Sequence, residues 1–404
     1  MNKRLGSLTS WPVLVVIGLA VFGLLTRALY VSIENNIPGT DFFIYYIAAR
    51  QITIDHGSPY ADSVGEQSQM AILKHPARPG EDQLRYVYPP YGLLPVLPIS
   101  MLSIQWAQAI WLSFWILCLP VCLIYAFRKI PPVFLVTVFF LYPLTFGLML
   151  GNLNIPVICI LLLVAGRLNG LFLEHKMEPV ILGILLAWAT VKPQFSTFFI
   201  LVFLLMAFKR RNWRFIGGFF AGLLALILIS FLIVPEWVTQ WLTLIQRYPA
   251  YTGGQMIVTP LVKMFPAAIQ NAIYIGVTAV CALLIGWLFN RWWIDRVTTL
   301  ELLCIGTAAI FLFHPTGVSY EQMIFLLPFS LWILCGWKKQ PVLNPILWLG
   351  FVFLSWVQVY LSISHVWDRA TYYGMYFLCL IWLLAVLIPM HRSSNKIFLP
   401  EESE

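Results

Sequence analysis

The sequence predicts an all-α protein that crosses a membrane many times, and three observations carry that reading. Charged residues make up 10% of the 404 residues and hydrophobic ones 60%, whereas soluble globular proteins carry roughly 25% charge, so a polar coat over a body of this size is out of reach. Disorder is excluded by 17 Trp, 17 Tyr and 29 Phe, apolar area too large to leave in water. Apolar stretches near the ~20 residues needed to span a bilayer recur along the chain, and the charges collect between them.

Hydrophobic windows place twelve spans, near 11–31, 105–127, 131–149, 152–168, 178–191, 194–208, 214–234, 267–289, 298–313, 320–336, 343–361 and 370–390. The first lacks the small-residue cleavage site of a secretory signal and reads as a retained helix. Spans 178–191 and 194–208 are short, a type of pair that tilts, breaks or lines an internal cavity. With the N-terminus inside, the inner side receives Lys3, Arg4, Arg128, Lys129, Arg167, Lys176, Lys209, Arg210, Arg211, Arg214, Arg291, Arg296, Lys338, Lys339, Arg392 and Lys396, 16 of the 25 basic residues. That excess is the bias membrane insertion imposes, so both termini are expected in the cytoplasm. The net charge of +8 sits at helix ends and not on one face, which argues against nucleic acid as a partner. The seven cysteines show no metal-ligand spacing, and Cys118 and Cys122 at i,i+4 read as helix packing.

The polar mass falls on the outer side, in loops 32–104 and 235–266 with short turns at 314–319 and 362–369. Inner connections are minimal, and no phosphate loop or dinucleotide fingerprint occurs, so ATP-driven transport by this chain is disfavoured. Residues 1–404 read as one integral membrane domain. Within the first loop, DFFIYYIAARQITIDHG (41–57) has Ile44, Ala48 and Ile52 at spacing four and predicts a helix over 42–56 lying on the membrane surface, ended by SPY (58–60). In YVYPPYGLLPVLPIS (86–100), Pro89, Pro90, Pro95 and Pro98 prevent one regular helix.

Several polar residues stand out against this apolar background. Asp41 opens the aromatic run Phe42, Phe43, Tyr45 and Tyr46. It, or Thr40, can cap the following helix, or a carboxylate in an aromatic pocket can act as general base on a hydroxyl; the two roles are compatible. Lys192, between two short apolar helices on the outer side, either snorkels or holds a phosphate. His314, Tyr320, Glu321 and Gln322 border the outer turn HPTGVSYEQ (314–322), where Glu321 either complements a helix N-terminus or serves a site. Gly151, Asn152 and Asn154 in LMLGNLNIPV either form a turn or hold a headgroup or sugar hydroxyl, and Arg85, Tyr86 and Tyr88 have the same potential. There is no outer D-x-D and no His/Asp cluster, and the adjacent Glu81 and Asp82 make a poor metal clamp, so no metal and no other cofactor is expected.

Four segments, in order along the chain, resemble glycosyltransferase family 87, polyprenol-phosphate-sugar-dependent enzymes of the C superfamily. DFFIYYIAARQITIDHGSPY resembles the family's D-F-x-x-Y-x-x-A…G-x-x-x-Y signature, and YPPYGLLPVLPIS its Y-x-P…P segment. GNLNIPVICILLL resembles G-Q-x-N-x-x-x-x-x-L-L, with Asn152 where Gln is usual, and VKPQFSTFFILVFLLMAFKRRNWR resembles K-P…LL…R-R-x-W-R. The resemblance implies a fold of the C-superfamily type, with about 12 transmembrane helices and a structured first extracytoplasmic loop. It also implies Asp41 as the essential aspartate, Lys192 as the outer lysine and Tyr60 as the tyrosine closing the signature, with Asn152 and Asn154 around the amide positions; Tyr45, Tyr88, His314, Glu321 and Gln322 are the further candidate substrate-binding residues. Many members carry S-W-x-H before a late span; here Ser319, Tyr320, Glu321 and Gln322 stand there, without the histidine.

The expected function is inverting transfer of a sugar, hexosyl or pentosyl, from a polyprenyl-phosphate donor to a glycan or glycolipid acceptor at the outer face of the plasma membrane, in the cell envelope. Membrane lipids are the remaining partners. Asp41 would take the acceptor proton, while Lys192 and Arg85 would hold the departing phosphate. The main alternative is a transporter or flippase for a lipid-linked glycan, which twelve spans would suit, although 1–202 and 203–404 show no internal repeat. A non-catalytic assembly subunit would leave Asp41 and Lys192 unused.

Overall fold

The computed structural model describes residues 11–33, 39–127, 130–168, 177–248, 258–311, 319–336, 342–366, 373 and 376. Among these the chain is entirely helical. Five helices are long and apolar enough to cross a membrane, or six if one bent pair counts as a single span. Those five are α1 (Trp11–Ile33), α4 (Ile104–Ala126), α10 (Trp213–Ile233), α13 (Ala267–Trp293) and α16 (Leu343–Ile363). Their unburied apolar side chains, Leu19 and Leu24 on α1 and Leu283 and Trp287 on α13 among them, are tolerable only where lipid replaces water.

Several expected spans are corrected by the local geometry. The stretch 131–149 is not one helix: α5 (Pro132–Thr137) runs into a 3-10 turn at Val138–Phe140, and α6 (Tyr142–Leu150) restarts at a bend of 61°. Pro143 explains the break, since a proline lacks the amide hydrogen of a continuing helix and seats well in a first turn. The stretch 152–168 is α7 (Asn154–Leu168), of 15 residues; 298–313 is α14 (Thr299–Phe311), of 13. The short pair is α8 (Glu178–Trp188), ending in a 3-10 turn at Ala189–Val191, and α9 (Pro193–Lys209). The stretch 320–336 opens as a 3-10 turn, Ser319–Phe325, before α15 (Leu326–Gly336). Span 370–390 lies outside the described residues, Tyr373 and Tyr376 apart.

α7 is the axis of the core. Its residues are apolar on every side, and from Asn154 to Leu168 all but Leu163 are buried, as expected of a helix without a polar face. α4 and α9 pack against it, and α1 joins α4, where Tyr30 stacks on Trp106 at 4.3 Å. α8 and α10 approach backbone to backbone: a Cβ on Gly183 would stand 2.3 Å from the Phe215 carbonyl oxygen, and one on Gly218 2.4 Å from that of Val180. Small residues allow such contact between apolar helices.

At the C-terminal end of α7, Arg167, expected on the inner side, is buried. Its Nε donates to Glu178 Oε1 at 2.5 Å, with side chains 2% and 9% exposed, and its guanidinium lies 4.8 Å from the Tyr125 ring centroid. Lys209 and Arg210 gather at the same end, on Asp295 at 2.6 Å and on the Leu168 carbonyl respectively.

The first loop is built into the protein. α2 (Thr40–Thr53), expected to lie on the membrane surface, is mostly buried, from Phe42 through Tyr46 and at Ala48 and Ala49. Aromatic and small residues fill most of its faces, and Ile47, Arg50 and Gln51 are left only half-buried. α3 (Asp62–Ile72) follows, and the proline-rich stretch breaks into 3-10 turns at Pro90–Leu93 and Ile99–Met101. In the second loop, α11 (Trp237–Arg247) clamps the first: Trp241 Nε1 donates to the Val87 carbonyl at 3.0 Å, and Ser58 hydrogen-bonds to Gln240. α12 (Thr259–Val262) completes the described helices.

Candidate active site

The α6–α7 turn brings the candidate residues together. Gly151 ends α6 at φ +68, and a Cβ there would meet Phe42 Cβ at 2.6 Å, so glycine serves both the left-handed backbone and the close approach of α2. Trp111 Nε1 donates to the Gly151 carbonyl at 3.0 Å and fixes the turn to α4. The next residue, Asn152, is 1% exposed. Its Nδ2 donates to Asp41 Oδ2 at 2.6 Å. Its Oδ1 accepts from the Asn154 backbone amide at 2.8 Å and from Lys192 Nζ at 3.5 Å. One amide thereby joins the carboxylate to the cation.

Lys192 does not snorkel. It is 1% exposed, Nζ stands 3.1 Å from Glu321 Oε1, and the ammonium lies 5.9 Å from the Tyr88 ring centroid and 5.6 Å from that of Tyr320. Charge balance between two buried groups and the faces of two aromatic rings compensate the lost hydration.

Asp41 sits in the first turn of α2 behind Gly39, whose N-cap position has no side-chain hydrogen bond. The capping role proposed for its side chain is therefore not what the carboxylate does: Oδ2 is held by Asn152, and Oδ1 accepts no hydrogen bond among the described residues. Unlike Asn152, Lys192 and Glu321, Asp41 retains partial exposure. Burial pushes its carboxyl above the ordinary carboxylate value; the Asn152 hydrogen bond and the Lys192 charge pull it down, and the charges of Asp82 and Glu321 add to the rise. The result is a carboxylate with a free oxygen and raised basicity.

The tyrosines divide by role. Tyr45 packs edge-on to Tyr86 and Tyr88 at 6.2 and 6.0 Å. Tyr60 OH donates to the Tyr88 carbonyl at 2.7 Å, so it anchors the loop that carries Tyr88. Asn154 is fully buried, and neither of its side-chain polar atoms has a hydrogen-bond partner among the described residues. Gln322, in the same 3-10 turn as Glu321, is 1% exposed. Arg85, expected to hold phosphate, is engaged with Asp62 by an ion pair outside the cluster, because that acidic neighbour lies opposite it at the start of α3. His314 lies outside the described residues.

The structure also adds residues not assigned to the site from sequence. Tyr320 lies beside Lys192, and Tyr248, just past α11, lies within the electrostatic reach of Tyr88, Lys192, Asp82 and Glu321. Asp82, exposed and with its carboxylate on the Leu84 amide at 2.8 Å, acts on Asp41 through its charge. In the sequence it stood out only beside Glu81, as a poor metal clamp.

An apolar cavity of 370 Å³ begins one residue beyond Lys192. Pro193, Phe195 and Phe198 of α9, Phe289 of α13 and Ile310 of α14 line it, as does Ile324 from the turn that carries Glu321.

A multipass helical membrane protein with a polar cluster at the end of its central helix, beside an apolar groove, is the class that fold and site define. The sequence profile of glycosyltransferase family 87 matches residues 86–315, more than half of the chain, and the chain belongs to that family; it is a transferase by membership. The matched span includes Tyr88, Asn152, Asn154, Lys192 and His314, while Asp41 precedes it and joins the matched residues through its hydrogen bond to Asn152. Comparison with curated proteins and with solved structures finds no match.

Proposed function

We propose that the protein transfers a sugar, hexosyl or pentosyl, from a polyprenyl-phosphate donor to a glycan or glycolipid acceptor at the extracytoplasmic face of the plasma membrane, with inversion at the anomeric carbon. The observation that carries this reading is the single amide of Asn152 between Asp41 and Lys192, with the apolar cavity opening at Pro193. A base for a hydroxyl, a cation for a phosphate and a slot for a hydrocarbon tail are the three requirements of such a donor reaction.

In this reading Asp41 Oδ1 receives the acceptor proton as its oxygen attacks the anomeric carbon from the face opposite the phosphate. Lys192 stabilises the charge growing on the leaving phosphate oxygen, an interaction stronger in the transition state than before it. Tyr45 and Tyr88 wall the sugar, and Asn154 and Gln322 offer hydrogen-bonding groups beside it. Twelve crossings of the C-superfamily type, with both termini inside, place the cluster outside; the inner excess of basic residues supports that orientation. The test supplies the protein in nanodiscs with a labelled polyprenyl-phosphate sugar and a cell-envelope acceptor fraction. Label appearing on acceptor with inverted anomeric configuration supports the reading; label that stays on lipid under every condition overturns it.

A further inference from the structure

Two turns fold onto each other at the end of the bundle remote from Asp41. Residues 209–214, between α9 and α10, carry Lys209, Arg210, Arg211 and Arg214; residues 291–296, at the end of α13, carry Arg291 and Arg296, with Asp295 the sole carboxylate of the two segments. Lys209 clasps them. Its Nζ donates to the Trp293 carbonyl at 2.9 Å and to Asp295 Oδ1 at 2.6 Å, and lies 5.4 Å from the Trp292 ring centroid. The 17 residues of α9, at ~1.5 Å each, set this clasp about 25 Å from Lys192.

Insertion bias accounts for basic residues at helix ends, but not for two strained turns that gather them. Arg211 and Asp295 hold φ +53 and +59, a left-handed backbone that costs an L side chain energy and recurs at functional sites. The clasp itself consumes Lys209 and Asp295, and Arg210 donates to the Leu168 carbonyl. Arg211, Arg214 and Arg296 stay exposed and join no ion pair among the described residues, and the half-buried Arg291 has an Nε without a hydrogen-bond partner there. Phe208, Trp213 and Trp293 stand exposed among these cations, Phe208 packing on the two indoles at 5.5 and 6.2 Å. Rings of this kind collect at headgroup depth, so the guanidinium groups beside them lie in the layer of lipid phosphates.

We infer that the clasp binds the phosphate of an anionic phospholipid, which bridges the two turns. The inference is independent of the function proposed above and holds for either orientation in the membrane. A guanidinium presents parallel donors that match two oxygens of a phosphate, and the surplus of cations over Asp295 calls for a headgroup with net negative charge; a choline headgroup brings its own cation and cancels it. α9 and α13 also wall the apolar cavity, so a lipid held here ties together two helices that form it.

The probes are dioleoyl phosphatidylglycerol and dioleoyl phosphatidylcholine, identical in their tails, titrated onto the full-length protein in micelles and counted by native mass spectrometry. The expected result is one phosphatidylglycerol held at least about tenfold more tightly than phosphatidylcholine. The triple variant Arg211→Gln, Arg214→Gln, Arg296→Gln should bind the two lipids alike, whereas Lys74→Gln, Arg78→Gln, Arg247→Gln, which removes as many exposed cations elsewhere, should keep the preference. Equal binding of both lipids by the wild type overturns the inference and needs no variant to fold. So does a preference that survives the first triple variant, or one lost equally in the second. Inorganic phosphate in large excess should leave the lipid bound; displacement by it would make the clasp a site for free anions and contradict the lipid assignment.

Discussion

Asn152 Nδ2 donates to Asp41 Oδ2 at 2.6 Å across the turn between α6 and α7, and this contact ties the helix of the first loop to the central helix of the core. It also opposes the rise that burial imposes on the Asp41 carboxyl, because a donor to a carboxylate favours the ionised form.

Replacing Asn152 with Ala should therefore raise the Asp41 carboxyl further. A general base works ionised, so activity climbs as pH rises through its pKa, and the acid limb of the pH–rate profile should move upward. A hydrogen bond to a charged group contributes about 1.5–3 kcal/mol, or about 1–2 pH units. An unmoved limb in the profile of kcat/KM would separate Asn152 from the base.

Asp41 should cost stability. Its folded carboxyl lies above the ordinary 3.8, so the native state holds its proton more tightly than the unfolded chain, and stability falls as pH rises from that ordinary value through the raised one. Asp41→Asn should melt at or above the wild-type temperature at neutral pH while losing turnover, with the difference closing in acid. Thermal unfolding in detergent at several pH values checks both directions.

Much of this arrangement was legible in the sequence, and the limits have physical causes. Asp41 and Lys192 stood out because a carboxylate opening an aromatic run and a cation on the side disfavoured by insertion are both local anomalies. The partners were not legible, since Glu321 meets Lys192 across 129 positions of chain (321 − 192) and no local period encodes such a contact. The partner of Arg85 was hidden for the same reason: its charge was visible, but Asp62, which pairs with it, was not visibly its neighbour. The burial of α2 followed from a spacing shared by surface and core helices, and only the occupancy of its other faces by Phe42, Tyr45 and Ala49 distinguishes them. Pro143 was visible, and the 61° break follows from it once the window average over 131–149 is set aside.

Gly151→Ala should damage the site from a distance. The new Cβ would meet Phe42 Cβ at 2.6 Å in a left-handed backbone, strain of about 1–3 kcal/mol relieved by moving α2. The expected signature is a lowered melting temperature with a kcat loss larger than the rise in KM for donor. A variant that melts early yet turns over normally would contradict it.

At the opposite end of α7, removing Arg167 takes from the buried Glu178 carboxylate the cation it pairs with. Arg167→Met should destabilise by about 3–5 kcal/mol, and adding Glu178→Leu should recover most of that. Denaturation in mixed micelles, comparing single and double variants, measures the recovery; equal losses in both would show that packing and not charge holds this end.

Filling the cavity beyond Lys192 should discriminate tails. Thr197 lines it and is exposed, so Thr197→Trp should raise KM for a long polyprenyl donor severalfold while leaving KM for a short-chain analogue near the wild-type value. Equal effects on both donors would remove the cavity from donor binding.

The most direct measurement is single-turnover transfer of labelled sugar from a polyprenyl-phosphate donor by wild type and Asp41→Asn in nanodiscs, with donor affinity recorded separately. An amide keeps the shape and the contact with Asn152 but cannot accept the acceptor proton. The account predicts a rate at least ~10²-fold lower, the lower end for positioned proton transfer, with donor affinity retained. Near-normal turnover by the variant would contradict it.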